Sequence, residues 1–285
     1  MRSIITVRHD DRALKQQLND LTERVFGFTF TRWDALGMWD SRYQAYAIEE
    51  DGRLLANVSV ALMDLLIGGQ RQSAIQIGAV ATLPEMRGQG LSRTLMEHVL
   101  HEYAATPAFL FAHEAVLDFY PRFGFKRMAE VQPFIQLATP LRGGTPCQLL
   151  AADHPLLRQR LETRQRSSEI LDVAEAAWIN LFHLVMEFGN ATYYLPEHDA
   201  IVVAKQEGDT VLIYDVLCGS DSSFVQVIPD LPFPGATRLE FAFTPDGLGV
   251  SYQEGPFVRA DDWGYLFGRG IDFGASSKFP YMCVT

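Results

Sequence analysis

Two tight turns constrain the N-terminal half more than any other feature of the sequence. Asp51-Gly52 separates Tyr43–Glu49 from Leu54–Leu66, and Gly68-Gly69 separates Leu54–Leu66 from Gln72–Thr82. The three flanked stretches read as strands. Asp-Gly and Gly-Gly close short hairpins because they admit positive φ. Strands joined this closely run antiparallel, since a parallel pair needs a crossover of a dozen or more residues. An antiparallel meander is therefore expected, and a wholly parallel, doubly wound sheet is excluded.

Around that meander the first half alternates helix and strand. Ile4–Arg8 is expected to be a strand. Asp10–Val25 is expected to be a helix, with Leu14, Leu18, Leu21 and Val25 on one stripe. Gly90–Tyr103 is a second helix, with Leu91, Leu95, Val99 and Tyr103 spaced by four. Ala108–Ala112 is a short apolar strand and Ala115–Arg122 a short helix. Strands near Phe125–Met128 and Gln132–Leu137 complete the half. This is an α+β layout, a mostly antiparallel sheet flanked by helices.

Between Thr139 and Pro146 two prolines and two glycines interrupt the pattern, and neither helix nor central strand passes such a stretch easily. A linker is placed there, giving domains at 1–140 and 146–285. The second domain opens with helices at His154–Arg166 and Ser168–Glu187, with Ser168 as N-cap and Gly189 as stop. Strands follow at Ala200–Gln206, Thr210–Leu217, Arg238–Thr244, Gly249–Gln253 and Tyr281–Val284. Gly268-Arg-Gly270 is glycine-rich, with no clear strand before it and no helix after it. Helices again precede a sheet, so the second half reads as a second α+β domain.

Composition narrows the partners. Of 285 residues, 48% are apolar, enough for a sizeable core. No apolar run approaches the roughly 18 residues that span a bilayer, and MRSIITVRHDDR lacks the apolar core of a signal peptide. The three cysteines, Cys147, Cys218 and Cys283, are far apart and in no metal spacing. They suit a reducing compartment, and a cytoplasmic protein without metal is expected. The charge is uneven: residues 1–142 hold 15 basic and 16 acidic side chains, residues 143–285 hold 9 and 19. That balance argues against nucleic acid and would favour a cationic ligand. His98 with His101 and His183 with Glu187 share helix faces, which are read as solvated polar surface.

The chemistry is carried by Ile77–Arg93, where a strand passes through a Pro-containing turn into a glycine-rich loop and a helix. Helix-start N–H groups lack intrahelical partners, the helix dipole makes that end positive, and Gly88 and Gly90 let a ligand approach the backbone. With Arg87 and Arg93 this makes a pyrophosphate site. The Rossmann pattern lacks its third glycine and the Walker pattern its Lys-Ser/Thr pair. A second element, Phe119-Tyr120-Pro121-Arg122-Phe123-Gly124-Phe125, follows the next strand. A phenol, pKa about 10, can protonate a departing thiolate.

The pair of elements resembles the GNAT superfamily of acyl-CoA-dependent N-acyltransferases, whose loop reads Arg/Gln-x-x-Gly-x-Gly/Ala. Arg87, Gly90 and Ser92 occupy its fixed positions, Ser92 departing from Gly/Ala. The resemblance covers about residues 1–140. It implies that Val80, Ala81 and Thr82 pair with the pantetheine arm of acetyl-CoA. It implies that Arg87, Gly88, Gln89, Gly90, Leu91, Ser92 and Arg93 surround the pyrophosphate. His113 stands where many members have Asn, and Tyr120 falls on the general acid. The aromatic stretch Phe26–Trp39 falls at the acceptor loop, so Trp33 and Trp39 are expected substrate contacts. The base is not legible; Glu49, Glu50 and Asp64 are the candidates near strands.

The second half lacks both signatures, with Cys218-Gly-Ser-Asp-Ser-Ser after Thr210–Leu217. The whole resembles tandem-GNAT proteins with one catalytic copy and one degenerate, acceptor-shaping copy. Some of these bring their terminal carboxylate to the active site, whereas a chain end is ordinarily solvated. The expected activity is acetyl transfer to a primary amine of a small, cationic acceptor such as a polyamine or aminoglycoside. The alternative is a non-catalytic acyl-CoA-binding or sensing protein. The expected partner is the small-molecule amine, with a homo-oligomer left open.

Overall fold

The computed structural model describes residues 1–219, 222–257 and 264–285. The first half runs β1 (Ser3–Val7), α1 (Arg12–Phe26), α2 (Thr31–Ala35), β2 (Tyr43–Glu50), β3 (Arg53–Ile67), β4 (Gln70–Thr82), α3 (Leu91–Glu102), β5 (Ala108–Ala112), β6 (Lys126–Arg127) and β7 (Val131–Gln136). Asp11 caps α1 by accepting from Leu14 N, and Gly27 stops it at φ 78°. The second half runs β8 (Gln148–Leu149), α4 (Pro155–Glu162), β9 (Leu171–Ala174), α5 (Ala177–Met186), β10 (Thr192–Leu195), β11 (Ala200–Glu207), β12 (Thr210–Cys218), α6 (Phe224–Val227), β13 (Arg238–Phe241), β14 (Gln253–Pro256) and β15 (Tyr265–Arg269). No helix or strand crosses residues 137–147, as the proline and glycine content predicts.

The strands form two sheets, ordered β1-β2-β3-β4-β5-β15-β6 and β8-β10-β11-β12-β13-β7-β14, with β9 added beside β3. The same polarity runs along both. Three antiparallel pairings lead to one parallel pairing, β4 with β5 and β12 with β13. Two antiparallel pairings follow. In each sheet the sixth place is filled from the other half of the sequence: β15 enters the first sheet and β7 the second. The halves are therefore two copies of one topology with a strand exchanged in each direction. Their cores also mix, because Leu171, Val173, Trp178, Leu266, Phe267 and Phe279 pack into the cluster built on the first sheet.

A buried ionic joint supports the second half. Arg164 reaches Asp172 at 3.1 Å and Asp215 at 3.3 Å, and donates to Ser167 Oγ at 2.9 Å. Both carboxylates are almost fully buried. Burial raises the Asp215 carboxyl above its ordinary value, and the Arg164 charge opposes that rise without cancelling it.

The structure corrects several elements. Ser168–Glu187 is not one helix. Leu171–Ala174 lies along β3, pairing Leu171 with Ile67 through Ala174 with Asp64. Ser168 Oγ accepts from Ile170 N and Leu171 N and so closes a turn ahead of the strand. An open strand edge outweighed local helix propensity here. Ala115–Arg122 is two 3-10 turns, Glu114–Val116 and Tyr120–Phe123, since Pro121 cannot donate inside a helix. Gly268 lies within β15, where β5 and β6 supply ladders that the local sequence does not announce. Gly249–Gln253 is largely loop, with the strand beginning at Gln253. Tyr281–Cys283 is a 3-10 turn and not a strand. Among the described residues no helix is long and apolar enough to cross a membrane.

Removing Arg164 leaves two buried carboxylates without their counter-ion. Arg164→Met is expected to lower unfolding stability by about 3–5 kcal/mol in denaturant melts. Arg158→Ala, which breaks only an exposed pair with Glu162, is expected to lower it by less than about 0.5 kcal/mol.

Candidate active site

The site begins where two parallel strands part. β4 and β5 pair at Ile75–Ala108, Gln76–Phe109 and Ile77–Leu110. Beyond that point the ladder stops, although β4 continues to Thr82 and β5 to Ala112. The cause lies across β4. Its register with β3 jumps from Ser59–Gly78 to Asn57–Ala81, leaving Ala79 and Val80 outside the ladder. Ala79 holds φ 44°, unusual for a residue with a side chain. Buried Asn57 fixes this bulge by donating to Ala79 O at 2.9 Å. A bulge re-aims backbone groups that a regular strand spends on its neighbour. Here the bulged residues Ala79 and Val80 border a cavity.

The glycine-rich loop follows at the end of β4. Gly88 and Gly90 hold φ 77° and 78°. A methyl group built on either would meet no protein atom within 4 Å. These glycines therefore serve conformation and leave open space in front of the backbone. Thr94 N donates to Gly90 O at 3.0 Å, the first bond of α3. The amides of Gly88 through Arg93 donate to no protein acceptor among the described residues. Arg87 and Arg93 are exposed, and neither pairs with a carboxylate among those residues. The nearby Glu85 is held by Arg24 and Arg53. Ser92 bonds Thr82 through their hydroxyls at 2.7 Å, tying the start of α3 to the end of β4. Free amides, a helix N-terminus and unpaired guanidinium groups together fit a diphosphate.

A cavity of about 620 Å³ lies against the bulge of β4. Gly78, Ala79, Val80, His113 and Tyr120 stand on its wall. Tyr120 is 6% exposed, and burial pushes its hydroxyl up to about 12. Its hydroxyl makes no hydrogen bond among the described residues, so its proton is held and available. His113 Nδ1 accepts from Ala115 N at 3.1 Å, which puts the proton of the neutral ring on Nε2.

The second half closes the other side of this cavity. His183 presents Nδ1 to Glu187 Oε1 at 2.9 Å and Nε2 to Val284 O at 2.7 Å. Tyr281 donates to Glu187 Oε2 at 2.7 Å. Burial raises the Glu187 carboxyl, but His183, Tyr281 and Lys205 outweigh it, and the group sits below its ordinary value. Glu130 and Lys278, both buried, form a pair at 3.3 Å. Burial draws the Lys278 ammonium down to about 8, with Glu130 pulling the other way. Thr285 lies against Gly78, its Oγ1 2.7 Å from Gln76 Oε1. Asn180 and Gln76 hold the preceding carbonyls of Met282 and Cys283, at 2.8 and 2.9 Å.

These contacts revise parts of the sequence reading. His183 and Glu187 are not a solvated face; they line the cavity. Residue 285 is tied down and not frayed. Trp33 borders the cavity and Trp39 does not, but both are core residues, 1% and 4% exposed, with their indoles bonded to Trp178 O and Tyr43 O. Glu49, Glu50 and Asp64 are spent on surface contacts with Gly52, Arg2 and Ser73. Ala81 and Thr82 lie on β4 beyond the bulge, leading to the loop. In the second half, α6 has four residues, and Ser223 and Gln226 close a capping box on its own end. The expected Cys218–Ser223 loop includes Ser220 and Asp221, which lie outside the described residues. Glu130, Lys278 and Phe182 enter the site without a sequence signal, because each is brought in by long-range pairing.

Residues 6–128 match the family described as Acetyltransferase (GNAT) domain. Three solved structures share the fold of nearly the whole chain. One is a conserved protein of unknown function from Enterococcus faecalis V583, titled a probable N-acyltransferase: 15% identity, TM-score 0.59, covering 94% of this chain and 72% of that one. Another is Eis1 from Mycobacterium abscessus: 19% identity, TM-score 0.54, covering 86% and 66%. The third is a GCN5-related N-acetyltransferase from Kribbella flavida: 17% identity, TM-score 0.56, covering 94% and 71%. The chain thus spans about two thirds to three quarters of their length. No curated protein is a significant match.

The close approach at Gly78 gives a direct test of how residue 285 is held. A methyl group there would stand 2.5 Å from Thr285 Oγ1 and 2.8 Å from Thr285 O. Gly78→Ala is expected to raise hydrogen exchange across residues 281–285 at least about tenfold, with the rest of β4 unchanged.

Proposed function

We propose that, through residues 6–128, which match the family described as Acetyltransferase (GNAT) domain, the chain transfers an acetyl group from acetyl-CoA to the primary amine of a small acceptor. One observation carries this reading: the unladdered Ala79–Val80 bulge and Tyr120 line one cavity, and the strand that carries the bulge runs on into the Gly88–Arg93 loop, whose amides have no protein acceptor among the described residues. A coenzyme A thioester supplies an acyl group activated towards attack by a neutral amine, with a thiolate as leaving group.

Each part of the chain then has a task. Gly88 through Arg93 hold the diphosphate by backbone N–H groups, aided by Arg87 and Arg93. Val80, Ala81 and Thr82 run beside the pantetheine arm. The bulge amides of Ala79 and Val80 meet the carbonyl oxygen as charge builds on it; fixed donors of this kind contribute about 3–4 kcal/mol in dry sites. Tyr120 gives its proton to the departing sulfur. The burial that raises the phenol also disfavours an exposed thiolate charge, so donor and acceptor shift together. His183–Glu187 and Glu130–Lys278 line the same cavity as closed pairs. The second half supplies walls of the cavity, among them Phe182, His183 and Glu187.

A thiol-release assay with an amine panel tests the reading. Tyr120→Phe is expected to lower kcat by about 10²-fold while acetyl-CoA affinity stays within about twofold. Tight binding without amine-dependent release from the wild type would identify the non-catalytic alternative. Because Tyr120 is held near 12, it keeps its proton throughout the neutral and mildly alkaline range. Its loss limits kcat only above about pH 10. A wild-type profile that falls with an apparent pKa near 9, and loses that limb in Tyr120→Phe, would contradict this assignment.

A further inference from the structure

We propose that the acceptor is a monoamine carried on an apolar, ring-bearing body, the arylalkylamine class, and not a polyamine or an aminoglycoside. The inference rests on the transfer reading above and deepens it. The acceptor side of the cavity is an aromatic wall. Phe28 meets Phe26, Phe30 and Phe182 with centroids 5.8, 5.3 and 6.1 Å away, and Trp33 meets Phe182 at 5.8 Å. All five line the cavity. Phe26, Phe28 and Phe182 keep exposed surface for a planar guest, while Phe30 and Trp33, 3% and 1% exposed, back them; aromatic contacts of this kind add about 0.5–1.5 kcal/mol each beyond simple burial. The same faces attract one ammonium group as it enters.

The mouth is apolar as well. Phe26 is 44% exposed and Val116 40%, two of the few large apolar side chains left in water, and both border this cavity. They come from α1 and from the turn after β5, so the entrance is apolar on two separate elements. Exposed apolar groups gathered at one opening mark a binding site for an apolar ligand.

Charge points the same way. The second half carries the acidic excess, yet among its described acidic side chains Glu187 alone borders the cavity. The charged pairs on the wall are closed on themselves: Glu130 faces Lys278 at 3.3 Å, and Glu187 faces His183 at 2.9 Å. A second or third ammonium would leave water for a site whose carboxylates are already occupied. Displacing Lys278 or His183 would strand a buried charge. A volume of about 620 Å³ admits a ring with a short aminoalkyl arm.

The full-length chain, acetyl-CoA and four amines decide the matter: 2-phenylethylamine, tryptamine, spermidine and kanamycin. The expected kcat/KM for the two arylalkylamines exceeds that for spermidine and kanamycin by at least about tenfold. Phe26→Ala, at an exposed position that tolerates truncation, lowers kcat/KM for 2-phenylethylamine at least about fivefold, chiefly through KM. Phe182→Ala does the same. Equal or higher kcat/KM for spermidine or kanamycin overturns the proposal, as does a Phe26→Ala enzyme unchanged towards 2-phenylethylamine. If no amine is turned over, the transfer reading fails on its own. Calorimetric titration of the same amines into the acetyl-CoA-loaded protein then decides the acceptor class. Tighter binding of 2-phenylethylamine than of spermidine upholds it, and the reverse order removes it.

Discussion

The parting of β4 from β5 after Ile77 and Leu110 is the constraint on which the rest of the structure depends. Sheets gain stability by completing their ladders, and this one stops while both strands still have residues to pair. Asn57 holds the reason in place, bonding the carbonyl of the bulged Ala79 from inside the core. Without that bulge, β4 would run straight and its amides would be spent on its neighbours. With it, the bulged backbone of β4 and Tyr120 border one cavity, and β4 leads on to the start of α3. The site is made chiefly of main chain, and main-chain groups stay put when side chains change rotamer.

The second half explains why the gap is not simply open to water. Its sheet repeats the first in order and polarity, with β7 and β15 exchanged between the copies. The exchange makes each sheet depend on the other half for its sixth strand, so the two cannot separate without breaking ladders. It also carries residues 277–285 from β15 back across the cleft, where Gln76, Asn180 and His183 hold them. The first copy keeps amides without protein acceptors at the start of α3, whereas at the start of α6 Ser223 N donates to the Gln226 side chain. The second copy contributes walls, among them Phe182, His183 and Glu187.

Much of the first half was legible because its signals are local. Asp51-Gly52 and Gly68-Gly69 dictate hairpins whatever lies around them. The apolar stripe of α1 and the four-residue spacing of α3 give their helices directly. The loop from Arg87 to Ser92 could be placed between a strand and a helix start because its glycines and the apolar spacing of α3 lie within a few residues. What escaped reading depends on distant partners. Leu171–Ala174 becomes a strand only because β3 extends far enough to offer an edge, and Gly268 only because β5 and β6 flank it. His183 and Glu187 have the spacing of a surface pair; what buries them is the return of residues 281–285, which no local pattern announces. Trp39 shows the opposite error. A tryptophan in an aromatic stretch suggests a ligand contact, yet its indole satisfies Tyr43 O within the core.

The central claim is that main-chain amides at the start of α3 grip the diphosphate of a thioester carrier. It is tested most directly by following backbone amide resonances as acetyl-CoA is added. The account predicts that the amides of Gly88 through Arg93, with those of Ala79 and Val80, shift together and saturably, while residues at the start of α6 stay still. Saturating binding that leaves Gly88 through Arg93 unmoved, or that moves the α6 end instead, would contradict it.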